Sequence, residues 1–296
     1  MAVKQLGYLL LECTSEVYPR MVTLFQDVFA IPVDQPDAAT ALVRMDGRPF
    51  RIKLQQGSSN RVAGIGWDAG DAATLATLSA EVAAHGFKTT NLDAGACAAR
   101  AASAVVAFQD QDGFAHELFV DKPFAADAAL NARFVCGDED NGVFGLGHIV
   151  QMCGDRQATQ DFYTKIFGFG VSDRITWPVA DLFFLHCNQR HHTVALSNEG
   201  FGLTRGMLHH LMLETKSKAE VDRAYAKLQE LGFPVLMSIG QHTNDEVYSF
   251  YMLAPIGFGI EFGYGGKVVT DPKTWEYREF DAPSSWGHDL MMVPPQ

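Results

Sequence analysis

Two histidines and a glutamate carry residue types and settings that could do chemistry: His148 in "LGHIVQMC" (146–153), His210 in "LHHLMLE" (208–214) and Glu261 in "GIEFG" (259–263). Each lies in a short apolar run that reads as a β-strand. Alternate side chains of a strand share a face, so one inward position per strand can converge on a point inside a curved sheet. Two imidazoles and a carboxylate meeting in this way fill one side of an octahedral metal and leave the other side open, the arrangement of non-haem Fe(II) oxygenases. Taken singly, either histidine could be a hydrogen-bonded core residue. Glu261 is harder to set aside, because an unpaired buried carboxylate is costly.

The elements that would carry these three residues occur twice. "LGYLLLEC" (6–13) has the frame of "LGHIVQMC", with Tyr8 where the later copy has His148. "LFQDVFAIPV" (24–33) lies over "FYTKIFGFGV" (162–171), and "RMDGRPFRIKL" (44–54) over "HCNQRHHTVAL" (186–196). "HGFKTT" (85–90) lies over "LGFPVL" (231–236), and "DGFAHELFV" (112–120) over "IGFGIEFGY" (256–264). Order is kept and the offset drifts by only a few residues, as loop-length differences would produce, so the chain is a duplication. In this register His148 stands opposite Tyr8, His210 opposite Gly66 and Glu261 opposite Glu117. Glu117 keeps the glutamate without the histidines, so it is the combination in the second half that points to a metal.

Each half divides again. "LGHIVQM" and "LHHLMLE" are each followed by a helical pattern, with apolar residues at spacings of three and four in 157–167 and 217–231. Both patterns end at a glycine, Gly168 and Gly232, suited to a left-handed cap. Short β-rich runs follow. The reading is an α+β fold of four strand–helix–three-strand (βαβββ) modules in two similar halves, 1–135 and 142–296, joined by a linker within 124–144.

Composition narrows the function classes. With 296 residues, 47% hydrophobic and 20% charged, the chain can bury a large core. Its net charge of −12 argues against nucleic acid and anionic membranes as partners. No apolar run is long enough to cross a bilayer or to form a signal peptide, so the cytoplasm is the expected compartment. The five cysteines, Cys13, Cys97, Cys136, Cys153 and Cys187, are scattered and read as buried reduced thiols.

Two more polar clusters lie in the second half. "HCNQRHHT" (186–193) holds three histidines that its counterpart "RMDGRPFR" lacks, and "GQHTNDEVYSFY" (240–251) supplies His242 and Tyr251. Strand alternation sends His209 to the opposite face from His210, where it supports a neighbour from behind. The stretch "GQHTNDEVYSFYMLAPIGFGIE" (240–261) resembles a signature of the type I extradiol ring-cleaving dioxygenases of the vicinal oxygen chelate superfamily: G-x-H, an aromatic and Tyr, A-P-x-G, then Glu. The likeness runs over essentially the whole chain, including "FLHCNQRHHTVAL", "HHLMLE" and "PSSWGH" (283–288), and is nearest to enzymes acting on 2,3-dihydroxybiphenyl and 1,2-dihydroxynaphthalene.

The resemblance implies iron ligands at His148, His210 and Glu261 and an acid/base histidine at His192. It places His242 and Tyr251 against the catechol oxygens, with Asn244 and Asp245 as a supporting pair. It further implies two barrel-like domains, with Fe(II), in a ligand set that also accepts Mn(II), in the C-terminal one only. The expected partners are a catechol, aryl-substituted or bicyclic, O2, and further copies of the same chain. Two alternatives share the fold: a glyoxalase-like isomerase or lyase using Zn or Ni, and a non-catalytic binding protein. The first would not need His242 and Tyr251; the second consists of single-domain chains without the full triad.

Overall fold

The computed structural model describes residues 3–138 and 142–292; the middle of the expected linker (139–141) and the outer ends of the two expected domains (1–2 and 293–296) lie outside the described residues. The first half runs β1 (Gln5–Cys13), α1 (Val17–Thr23), β2 (Val33–Asp37), β3 (Thr40–Val43) and β4 (Ile52–Gln56). A second unit follows: β5 (Arg61–Asp68), α2 (Ala72–Ala84), β6 (Thr90–Asn91), the short α3 (Ala94–Ala98), β7 (Ala102–Gln109) and β8 (Ala115–Asp121). They form one sheet in the order β2-β3-β4-β1-β5-β8-β7-β6, the two units meeting where β1 runs antiparallel to β5.

A connecting segment holds α4 (Ala128–Asn131) and the paired β9 (Gly137–Asp138) and β10 (Gly142–Val143). The plan then repeats: β11 (His148–Cys153), α5 (Arg156–Asp161), β12 (Gly170–Trp177), β13 (Ala180–His186) and β14 (Val194–Asn198). The last unit is β15 (Leu208–Thr215), α6 (Lys218–Glu230), β16 (Val235–His242), β17 (Tyr248–Leu253) and β18 (Gly259–Tyr264). The strand–helix–three-strand unit thus occurs four times, in two curled sheets. The second sheet gains a strand at each edge, β19 (Arg278–Phe280) beside β12 and β20 (Ser284–Gly287) beside β16. The C-terminal tail therefore joins two edges that the first sheet leaves apart.

Local chemistry explains the helices. Asp71 and Asp155 cap α2 and α5 by accepting the backbone N–H groups of Thr74 and Ala158, at 2.8 and 3.1 Å. α6 buries Val221, Ala224 and Leu228, the three-and-four spacing of one face. Gly168 and Gly232 take φ of +74° and +69°, as left-handed caps require.

The stretch 157–167 departs from the simple helix its spacing suggests. After Asp161 the backbone opens into a π-turn over Phe162–Ile166, and the equivalent Leu24–Val28 does the same. Phe162, Tyr163, Ile166 and Phe167 are all buried along this turn. These aromatics meet Trp67 from the first half, Tyr163 and Phe167 lying edge-on to it at 5.7 and 5.8 Å between ring centroids. Phe29 stacks on Phe262 at 4.8 Å in the reciprocal direction. One apolar core therefore runs through both halves.

All five cysteines are buried and unpaired. Burial pushes the thiols of Cys13, Cys136, Cys153 and Cys187 up to about 12, which leaves them without thiolate character at neutral pH.

Strand register corrects one equivalence. Tyr8 pairs with Gly66, which pairs with Glu117; His148 pairs with Met212, which pairs with Glu261. The partner of Gly66 is therefore Met212. His210 pairs with Val150, two residues beyond His148, just as Gly64 pairs with Leu10, two beyond Tyr8. The residue standing opposite His210 is Gly64 and not Gly66. A two-residue slip keeps the same sheet face, so the error does not alter which histidine points inward.

Candidate metal centre

The donor atoms are brought together by adjacent strands. β11, β15 and β18 lie side by side, and one donor atom from each of His148, His210 and Glu261 falls within 4.8 Å of the other two. All three residues are buried. The Nε2 atoms of His148 and His210 are 3.2 Å apart, and each is 3.4 Å from Glu261 Oε2. That oxygen is buried and has no hydrogen-bond partner. Its sister Oε1 is occupied: Ser249 Oγ donates to it at 2.6 Å and His242 Nε2 lies 3.3 Å away.

Electrostatics keep the set in its donor form. Burial lowers the His148 pKa to about 4, so the ring is neutral with a free lone pair. Burial opposes the Glu261 charge, but His148, His210 and His242 outweigh it and hold the carboxyl well below its usual range. Two imidazoles, an ionised carboxylate and an orphaned buried oxygen at their focus are what a divalent cation of borderline character takes.

The bulge in β15 settles the place of His209. Gln151 pairs with Leu208 and Val150 with His210, so His209 is the extra residue, and strict alternation lapses there. Its Nδ1 lies 2.8 Å from His210 Nδ1, so a proton on His210 Nδ1 donated to His209 leaves the Nε2 lone pair aimed at Glu261. His209 thus sits directly behind His210.

The remaining residues form two walls. His192 lies over His148 with ring centroids 3.9 Å apart, and Phe184 packs edge-on against it at 4.8 Å. Burial, then the neighbouring His148 and His191, push the His192 pKa well down, leaving a neutral base. Asp245 Oδ2 is 3.7 Å from His192 Nδ1, while Asn244 donates to Asp173 at 3.3 Å. This pair therefore stands nearer His192 and the Asp173–His191 contact (3.0 Å) than its place in sequence beside His242 suggests. On the other wall His242 Nε2 meets the Tyr251 hydroxyl at 2.6 Å, and its Nδ1 donates to the Pro283 carbonyl at 2.8 Å. Burial works against a charge on His242, but Glu261 and Asp245 raise its pKa to about 9.

His288 and Ser249 escaped the sequence reading. "PSSWGH" resembles a family block, yet nothing in the spacing ties its histidine to a site 27 residues earlier in the chain at Glu261. Only the pairing of β20 with β16 brings it there, with its ring centroid 4.4 Å from that of His242.

The first half shows what replaces a metal. Glu117 accepts the Tyr8 hydroxyl at 2.5 Å and a two-pronged contact from Arg100 at 2.6 and 2.5 Å. Burial and Glu117 raise the Tyr8 pKa far above its ordinary value, so it remains a donor. A guanidinium neutralises the carboxylate that a cation would otherwise hold. Arg100→Ala is expected to lower stability by about 2 kcal/mol, less than for a fully buried pair because Arg100 is partly solvated. Denaturant melting should show the loss while metal content stays at the wild-type level; unchanged stability would refute the pairing.

The chain resembles known proteins along its length. Residues 145–273 match the model of the Glyoxalase/Bleomycin resistance protein/Dioxygenase superfamily. A 2,2',3-trihydroxybiphenyl dioxygenase of Sphingomonas paucimobilis is 54% identical over 292 residues, covering 99% of each chain. An iron-dependent extradiol dioxygenase of Rhodococcus jostii is 30% identical over 308 residues, covering 98% of each. The crystal structure of 2,2',3-trihydroxybiphenyl 1,2-dioxygenase from the dibenzofuran-degrading Sphingomonas wittichii strain RW1 superposes with a TM-score of 0.95 at 54% identity, covering 98% of this chain and all of that one.

Proposed function

Since the chain belongs to the Glyoxalase/Bleomycin resistance protein/Dioxygenase superfamily, we propose that His148, His210 and Glu261 hold an Fe(II) ion with which it cleaves aryl-substituted catechols beside their two hydroxyls. The chain is an extradiol dioxygenase, an oxidoreductase that takes a catechol and O2. The observation that carries the site assignment is the convergence of the His148 and His210 imidazoles on an unpartnered, buried Glu261 oxygen.

Bound Fe(II) supplies a place where catechol and O2 meet and exchange electron density. The protein supplies the rest. His242, cationic through its Glu261 and Asp245 neighbours, and the Tyr251 hydroxyl attract and orient the substrate oxygens. His192, neutral and buried, takes a proton as its neighbourhood gains charge and returns it to a leaving oxygen. Asp245 faces His192 Nδ1 and steadies the protonated ring.

The test is anaerobic loading with Fe(II), metal analysis against Mn(II), and addition of O2 with catechol, 2,3-dihydroxybiphenyl or 2,2',3-trihydroxybiphenyl. A yellow ring-cleavage product is expected, with kcat/KM higher for the biaryl substrates than for catechol. No product from any of them would refute the reading. A homo-oligomer in the cytoplasm is part of the same proposal, and light scattering on the purified protein tests the assembly. Among the described residues no helix is long and apolar enough to cross a membrane.

A further inference from the structure

The C-terminal tail reaches the centre by an unusual backbone. Gly287 and His288 take φ of +66° and +53°, the second a left-handed conformation that a side chain disfavours by about 1–2 kcal/mol. A Cβ on Gly240 would lie 2.4 Å from His288 N, so glycine there permits the close approach. This bend turns the His288 ring inward against His242 and Tyr251.

The hydrogen bonds of that ring have one consistent direction. His288 Nε2 lies 3.2 Å from the Ser249 carbonyl oxygen, which can only accept, so Nε2 carries the proton. Nδ1, 2.7 Å from Ser284 Oγ, then accepts from that hydroxyl. The Nε2–H is also 3.2 Å from Ser249 Oγ, which leaves the Ser249 hydroxyl to donate onward to Glu261 Oε1 at 2.6 Å. The chain Ser284, His288, Ser249, Glu261 thus loads Oε1 and leaves Oε2 unpartnered toward the two histidines.

We propose that His288 is a positioning residue that, through Ser249, fixes which oxygen of Glu261 faces His148 and His210. The inference rests on the reading of Glu261 as a metal ligand. It gives the tail a part in metal retention, and the first half, whose sheet lacks both tail strands, has no counterpart.

The experiment measures release of Fe(II) from the loaded protein to a coloured Fe(II) chelator under anaerobic conditions. His288→Ala and Ser249→Ala should each release iron about 10-fold faster or more, the usual effect of losing a group that orients a ligand. The double variant should be no faster than Ser249→Ala alone, because both substitutions break one chain. His288→Gln, which keeps a donor, should recover most of the wild-type retention. Release at the wild-type rate from Ser249→Ala, which leaves the tail intact even if His288→Ala fails to fold, overturns the proposal. So does a double variant whose effect is the product of the two singles. Glu261→Ala is measured alongside: iron held there as in wild type overturns the ligand reading itself, whereas lost iron with unaffected Ser249 and His288 variants overturns only the positioning role.

Discussion

His210→Ala should leave the protein folded but unable to hold iron. The substitution removes one of two imidazoles 3.2 Å apart and leaves Glu261 Oε2 with a single neutral nitrogen beside it. Loss of a residue that merely supports a ligand costs roughly 10- to 100-fold in metal affinity, so loss of a ligand should exceed about 100-fold. Leu211 and Leu213 on the same strand stay in the core, so the fold has its apolar anchor without His210. The measurement is iron per chain after gel filtration, with near-ultraviolet circular dichroism as the folding control. Full iron occupancy in the folded variant would remove His210 from the ligand set. His209, directly behind it, would then be the residue to replace next.

His192→Ala should show the opposite pattern: iron retained, turnover slowed by about 10²- to 10⁴-fold, the range for loss of a general acid–base group. The ring stacks on His148 instead of joining the donor focus, so its removal leaves the Glu261–His148–His210 distances untouched. Binding of the catechol without O2 should weaken far less than kcat falls, since His242 and Tyr251 on the other wall remain. Iron content and single-turnover kinetics separate these effects. If His192→Ala comes out iron-free, the residue belongs to the metal-binding set and its acid–base role is refuted.

The sequence carried a good deal of this because the chain is a duplication. Comparing "LGYLLLEC" with "LGHIVQMC" isolates His148 without any structure, since packing alone does not demand a histidine where its copy has tyrosine. Glu261, repeated as Glu117, stands out only in combination with the histidines, and the helix ends at Gly168 and Gly232 follow from backbone chemistry that glycine alone satisfies cheaply. Local rules of this kind act over a few residues, and those residues are on the page in order.

What failed or stayed hidden depended on register and on distant partners. Gly64 and not Gly66 answers to His210 because each stands two residues along the antiparallel pairing from the partner of His148 or Tyr8, and strand register leaves no reliable mark in a single sequence. The π-turn at Phe162–Ile166, whose Tyr163 meets Trp67 of the other half, leaves no mark in the three-and-four spacing of its apolar residues. The sequence does not tie Arg100 to Glu117, whose charge it neutralises beside the direct Tyr8–Glu117 hydrogen bond. By itself, then, the sequence determined the four-fold repeat, the half that bears the histidines, and the residue types able to hold a metal. Only the tertiary structure decided which oxygen of Glu261 is left open and that Ser249, in contact with His288, occupies the other, because these contacts join strands far apart in the chain.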